Sequence, residues 1–153
     1  MKLLLITLAL LANTVANTAA LAHTDEYLDT QKTPNGGQMR MAGLYHFELL
    51  AKNGQDVVVF VTDHAGTKIS TTGASGTATI LSGKSKTTLT LTPDGDNRLK
   101  GIGKYAATPD MKVVTSLVIA GKPAEQARFT PLATQKAASP ATQATSAELG
   151  HHH

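Results

Sequence analysis

Leu44-Tyr45-His46-Phe47-Glu48-Leu49-Leu50 is the stretch that decides the fold. Tyr45, Phe47 and Leu49 alternate with His46 and Glu48, and a period of two is the mark of a strand with one face in a core. Downstream, Asn53-Gly54 is a hairpin signal. Val57 to Thr62 is a dense β-branched run of the kind that is buried on both faces. Asp63-His64-Ala65-Gly66 makes the next turn, and an Asp in that place bonds its own backbone. Thr77 to Leu81 and Thr87 to Thr92 read as strands around Ser82-Gly83-Lys84. Pro93-Asp94-Gly95-Asp96-Asn97 is a turn in which Pro fixes φ and Gly or Asn takes positive φ. A short strand follows over Leu99 to Tyr105. Met111 to Ala120 alternates again, with Met111, Val113, Leu117 and Ile119 on one side. Gly121-Lys122-Pro123 leads into a last strand near Gln126 to Thr130.

Seven or eight strands at roughly ten-residue spacing, with no amphipathic helix, predict a single all-β domain. Its architecture is an immunoglobulin-like β-sandwich or a small barrel, between which periodicity does not choose. Outward from this domain the composition changes on both sides. Residues 23–37 are polar, with the breaker Pro34-Asn35-Gly36-Gly37. Residues 133–150 are Ala, Thr, Ser, Gln and Pro with few large apolar groups, and such a segment cannot offset its ordering entropy. A disordered tail is expected there, ending in His151-His152-His153, a loose metal tether or a purification remnant.

At the other end, Lys2 and the apolar run Leu3 to Ala12 have the layout of a secretory signal peptide. Ala20-Leu21-Ala22 supplies the small residues of a cleavage site, so cutting after Ala22 would make His23 the first residue. The expected organisation is a signal peptide over 1–22, a β domain over 23–132 and a tail over 133–153, with the mature protein in the periplasm and none of it left in a membrane.

Composition removes several function classes. The 153 residues carry 14 basic and 11 acidic side chains, a formal charge of +3 that falls to +2 once Lys2 leaves with the leader. That balance, scattered along the chain, does not suit nucleic acid. There is no cysteine, so neither a thiolate nucleophile nor a disulfide is available. No Gly-x-Ser-x-Gly elbow, His-Glu-x-x-His pair or phosphate-cradling Gly-rich loop is present, and the chain is not expected to be an enzyme.

What remains are groups that bind metals. His23 would carry a free α-amine beside its imidazole, a chelate suited to Cu(II), with Asp25 and Glu26 nearby. His46 and Glu48 share one face of their strand. Met39 and Met41 are also two residues apart, and thioethers favour Cu(I) and Ag(I). His64 joins them only if the fold carries its turn to His23 or His46. Each group also has an ordinary reading as solvated sheet face, core filler or turn residue.

The segments Asp25-Glu26-Tyr27-Leu28-Asp29-Thr30, Pro34-Asn35-Gly36-Gly37-Gln38-Met39-Arg40 and Gly43-Leu44-Tyr45-His46-Phe47-Glu48-Leu49 resemble small periplasmic proteins associated with copper and other heavy-metal efflux systems. So do Val61-Thr62-Asp63-His64-Ala65-Gly66 and Leu91-Thr92-Pro93-Asp94-Gly95-Asp96-Asn97. Similar stretches occur in periplasmic adaptor subunits of such pumps. The resemblance spans roughly residues 23–132. It implies metal handling outside the inner membrane, with His46, Glu48 and His64 carried over. The residue after the Pro is often His in that family and is Asn35 here, a poor copper ligand.

The expectation is thus a periplasmic protein that binds copper or a similar heavy-metal cation and buffers it or delivers it to an efflux system. Its candidate ligands are His23, His46, Glu48, His64, Met39 and Met41, and its partners are the cation and periplasmic efflux components. The alternative is a structural module that docks on an envelope or efflux complex without metal. The two differ in one geometric respect: a ligand site needs the histidines together, whereas a docking module leaves them scattered.

Overall fold

The structure, a computed structural model, describes residues 24–133. The leader over 1–22, His23, the tail from 134 onward and the His151–His153 triplet lie outside the described residues. Eight strands follow one short helix, α1 (Asp25–Asp29): β1 (Gln38–Ala42), β2 (Tyr45–Leu50), β3 (Asp56–Asp63), β4 (Ser75–Ser82), β5 (Ser85–Pro93), β6 (Arg98–Ile102), β7 (Lys112–Val118) and β8 (Ala124–Phe129). All neighbours pair antiparallel in the order β1-β2-β3-β6-β5-β4-β7-β8. The sheet curls into a nearly closed barrel, so the expected all-β class holds.

The barrel has two thin places. β5 meets β6 through Thr92 opposite Lys100 and Pro93 opposite Leu99. β1 and β8, the two ends of the order, are bridged by one side chain. Gln38 Oε1 accepts from the Thr130 amide at 2.7 Å, and its Nε2 donates to Thr130 Oγ1 at 3.4 Å.

Period-two alternation fills the interior. Phe47 and Leu49 from β2, Val57, Val59 and Val61 from β3, Leu91 from β5, Leu99 from β6, Val113 and Leu117 from β7 and Phe129 from β8 are all fully buried or nearly so. Burying a side chain of this size contributes about 1.5–3 kcal/mol, and this aliphatic core is the main attraction holding a chain that has no disulfide. The expectation that Val57 to Thr62 is buried on both faces is corrected. Val57, Val59 and Val61 face the core, while Val58, Phe60 and Thr62 are half-buried on the outer face.

β1 inverts the usual pattern. Arg40 and Ala42 are buried, while Met39 and Met41 share the outer face and are half-buried. Arg40 is tolerated inside because its charge is met. Its Nη1 lies 2.7 Å from Asp29 Oδ1, its Nη2 donates to Asp29 Oδ2 at 3.2 Å, and its Nε lies 3.6 Å from Asp25. These contacts fasten α1 across β1. Thr24 caps the helix by accepting from the Tyr27 amide. Among the described residues, no helix is long and apolar enough to cross a membrane.

Candidate metal centre

The outer face of β1, β2 and β3 collects most of the predicted ligands, and a tight hairpin is the reason. Gly43 takes φ 58°, as the first central residue of a type II′ turn requires, and Ala42 stands opposite Tyr45. That register sets Met41 opposite His46 and Met39 opposite Glu48. On the far side of β2, His46 faces Thr62 and Glu48 faces Phe60 of β3. Two rows of side chains therefore cross the same outer face.

In the first row, His46 Nε2 lies 3.0 Å from Met41 Sδ. His46 is only 7% exposed. The turn after β3 supplies its cover. Asp63 Oδ1 accepts from the amides of Ala65 at 2.9 Å and Thr67 at 2.8 Å, and Gly66 takes positive φ. Thr62 and Lys68 bridge below it. The Asp63 carboxyl is held below the usual carboxylate range chiefly by the Thr67 amide, against a smaller opposing effect of burial. This turn folds the exposed His64 ring over His46, with centroids 4.9 Å apart and planes 27° apart. His46 and His64, which are far apart in sequence terms for one strand and its neighbour's turn, thus meet in space.

In the second row, Glu48 has a different occupation. It is 3% exposed. Its Oε1 accepts from the amides of Asn35 and Gly37, both at 2.9 Å, and its Oε2 accepts from Asn35 Nδ2 at 2.9 Å. The carboxylate holds the Pro34–Gly37 loop against β2. Asn35 is accordingly a donor to Glu48. Met39, Glu48, Phe60, Pro34, Asn35 and Lys68 line an adjoining cleft of about 330 Å³.

His23 lies outside the described residues, and Asp25, expected beside it, is drawn to Arg40. Among the described residues, no three His, Asp or Glu side chains converge closely enough to hold a metal ion. The convergence that exists is of two imidazoles and a thioether. Sequence reading had paired His46 with Glu48 and Met39 with Met41 along their strands. It missed the cross-strand pairing of Met41 with His46, although Gly43-Leu44 between two runs is the signal that fixes it. It also missed the loop-clamping role of Glu48, which nothing local in the sequence announces.

Comparison with family models, with curated proteins and with solved structures finds no match to this chain.

Proposed function

We infer that this is an exported, non-enzymatic protein that binds copper or a similar heavy-metal cation in the periplasm and buffers it or delivers it to an efflux system. One observation carries the reading: the His46 and His64 rings stack at 4.9 Å, with Met41 Sδ 3.0 Å from His46 Nε2. A docking module that binds no metal has no need of that juxtaposition. Imidazole and thioether donors together suit late transition metals, and the partly buried setting shields them from competing water. The leader-like segment and the resemblance to metal-efflux proteins supply the compartment.

Metal titration of the exported protein tests the reading. Copper binding at this face is expected to perturb the His46 and His64 ring resonances and to weaken at least tenfold in a His46→Ala, His64→Ala double variant. His23→Ala reports separately on an amino-terminal chelate. If the double variant binds copper as tightly as the parent, the centre is not where these rings meet.

A further inference from the structure

We propose that the cleft on the outer face of β2 and β3 takes the carboxy-terminal end of a peptide whose last residue is apolar. This goes beyond the metal-binding reading and does not depend on it.

The cleft has an apolar floor between two walls. Its volume of about 330 Å³ is at the small end for ligand sites, room for roughly one or two residues. Phe60 of β3 is half-buried on the outer face, and Met39 of β1 is half-buried on the same side of the sheet. Pro34 and Asn35 make one wall, fastened to β2 by Glu48. The other is the segment from Gly66 to Lys68, which returns along β3 where Lys68 bridges to Thr62. An apolar side chain laid on Phe60 between these walls gives up much of its contact with water.

Two polar groups have capacity to spare. Lys68 is exposed and has no ion pair among the described residues. Asn97 is only 8% exposed and is fixed in place. Its Nδ2 donates to the Val61 carbonyl at 3.1 Å, and its own carbonyl accepts from the Val61 amide at 2.8 Å. Its Oδ1 accepts from no described residue, which leaves a nearly buried acceptor at the cleft for a donor that enters it. Glu48 lies in the same cleft, but both its oxygens are taken up by Asn35 and Gly37.

The cleft therefore asks for a carboxylate opposite Lys68, an N–H opposite Asn97 and an apolar group on Phe60. A peptide's last residue carries all three on one α-carbon. A free amino acid carries an ammonium in place of the amide N–H, and Lys68 repels that charge.

The test uses the mature full chain, free of metal, titrated with N-acetylphenylalanine and followed by NMR at the Phe60 ring, the Lys68 amide and the Asn97 side-chain amide. All three signals are expected to move together, with a Kd on the order of 1 mM for a ligand of this size. N-acetylphenylalaninamide, which lacks the carboxylate, and free phenylalanine are each expected to bind at least fivefold more weakly. The exposed substitution Lys68→Met keeps the aliphatic stem and is expected to abolish the preference for acid over amide, while Lys68→Arg retains it. An N-acetyl-N-methyl probe, which has no N–H for Asn97, is expected to lose at least threefold. Equal binding of acid and amide by the parent, or an acid preference that survives in Lys68→Met, overturns the proposal. So does free phenylalanine or the N-methyl probe binding as tightly as N-acetylphenylalanine, or no response at Phe60 and Asn97. None of these outcomes bears on whether copper binds at His46 and His64.

Discussion

Glu48→Ala removes one buried carboxylate and with it three hydrogen bonds, each 2.9 Å long, from Asn35 N, Asn35 Nδ2 and Gly37 N. Bonds to a charged acceptor contribute about 1.5–3 kcal/mol each. The full sum overstates the loss, since Asn35 is exposed and its two donors regain water, while Gly37 is half-buried. A destabilisation of about 3–4 kcal/mol is therefore expected. For a domain of this size that corresponds to a fall in Tm of roughly 12–16 °C. Glu48→Gln is the discriminating partner. Its carbonyl oxygen can keep both amides that Oε1 accepts, and the Asn35 amide can rotate to accept from the new NH2, so the loss should be only about 1 kcal/mol. Urea unfolding followed by circular dichroism measures both. The clamp is refuted if Glu48→Ala lies within about 1 kcal/mol of the parent, or if the alanine and glutamine variants are equally unstable. Glu48→Gln should also leave the copper response of the His46 ring unchanged, which separates a clamp from a ligand.

Two further outcomes concern the same barrel. Asp63 has its carboxyl held low by the Thr67 amide, so its contribution to stability is present above the ordinary carboxylate value and is lost as pH falls through its lower folded value. Its carboxyl carbon should titrate below that of an unperturbed aspartate. Asp63→Asn, whose carbonyl oxygen can keep both turn amides, should remove that acid-side dependence with His64 still on His46, whereas Asp63→Ala should move His64 off His46, seen as loss of ring-current shift. Thr115 is fully buried and its Oγ1 has no hydrogen-bond partner. Thr115→Val is expected to raise stability by about 1 kcal/mol, and a fall in the urea midpoint would show that the hydroxyl is satisfied.

Strand content was legible wherever apolar residues alternate with polar ones, as in Lys112 to Val118 and in Tyr45 to Leu50, although in the latter the polar His46 and Glu48 are buried as well. β1 was not, because Arg40 points inward and the methionines outward. That inversion is held through Asp29 and Asp25 of the preceding helix, and no window of local hydrophobicity contains the pairing. The candidate residues His46, His64, Met39 and Met41 were visible as chemistry. Their partners were not. Whether His64 meets His46 depends on how the Asp63–Thr67 turn closes, and whether Glu48 is a ligand depends on a loop more than ten residues upstream. Side-chain type announces capacity, while tertiary neighbours decide whether that capacity is already spent.

The Gln38–Thr130 bridge has a consequence for how the molecule comes into being. It ties the first strand to the residue just past the last one, so closure must wait until nearly the whole domain has emerged. Until then β1 presents an unpaired edge, already bearing its thioethers, to whatever strand is near, including that of a second copy. A polypeptide translocated in an unfolded state would meet that hazard on the far side of the membrane, where its own final segment arrives last.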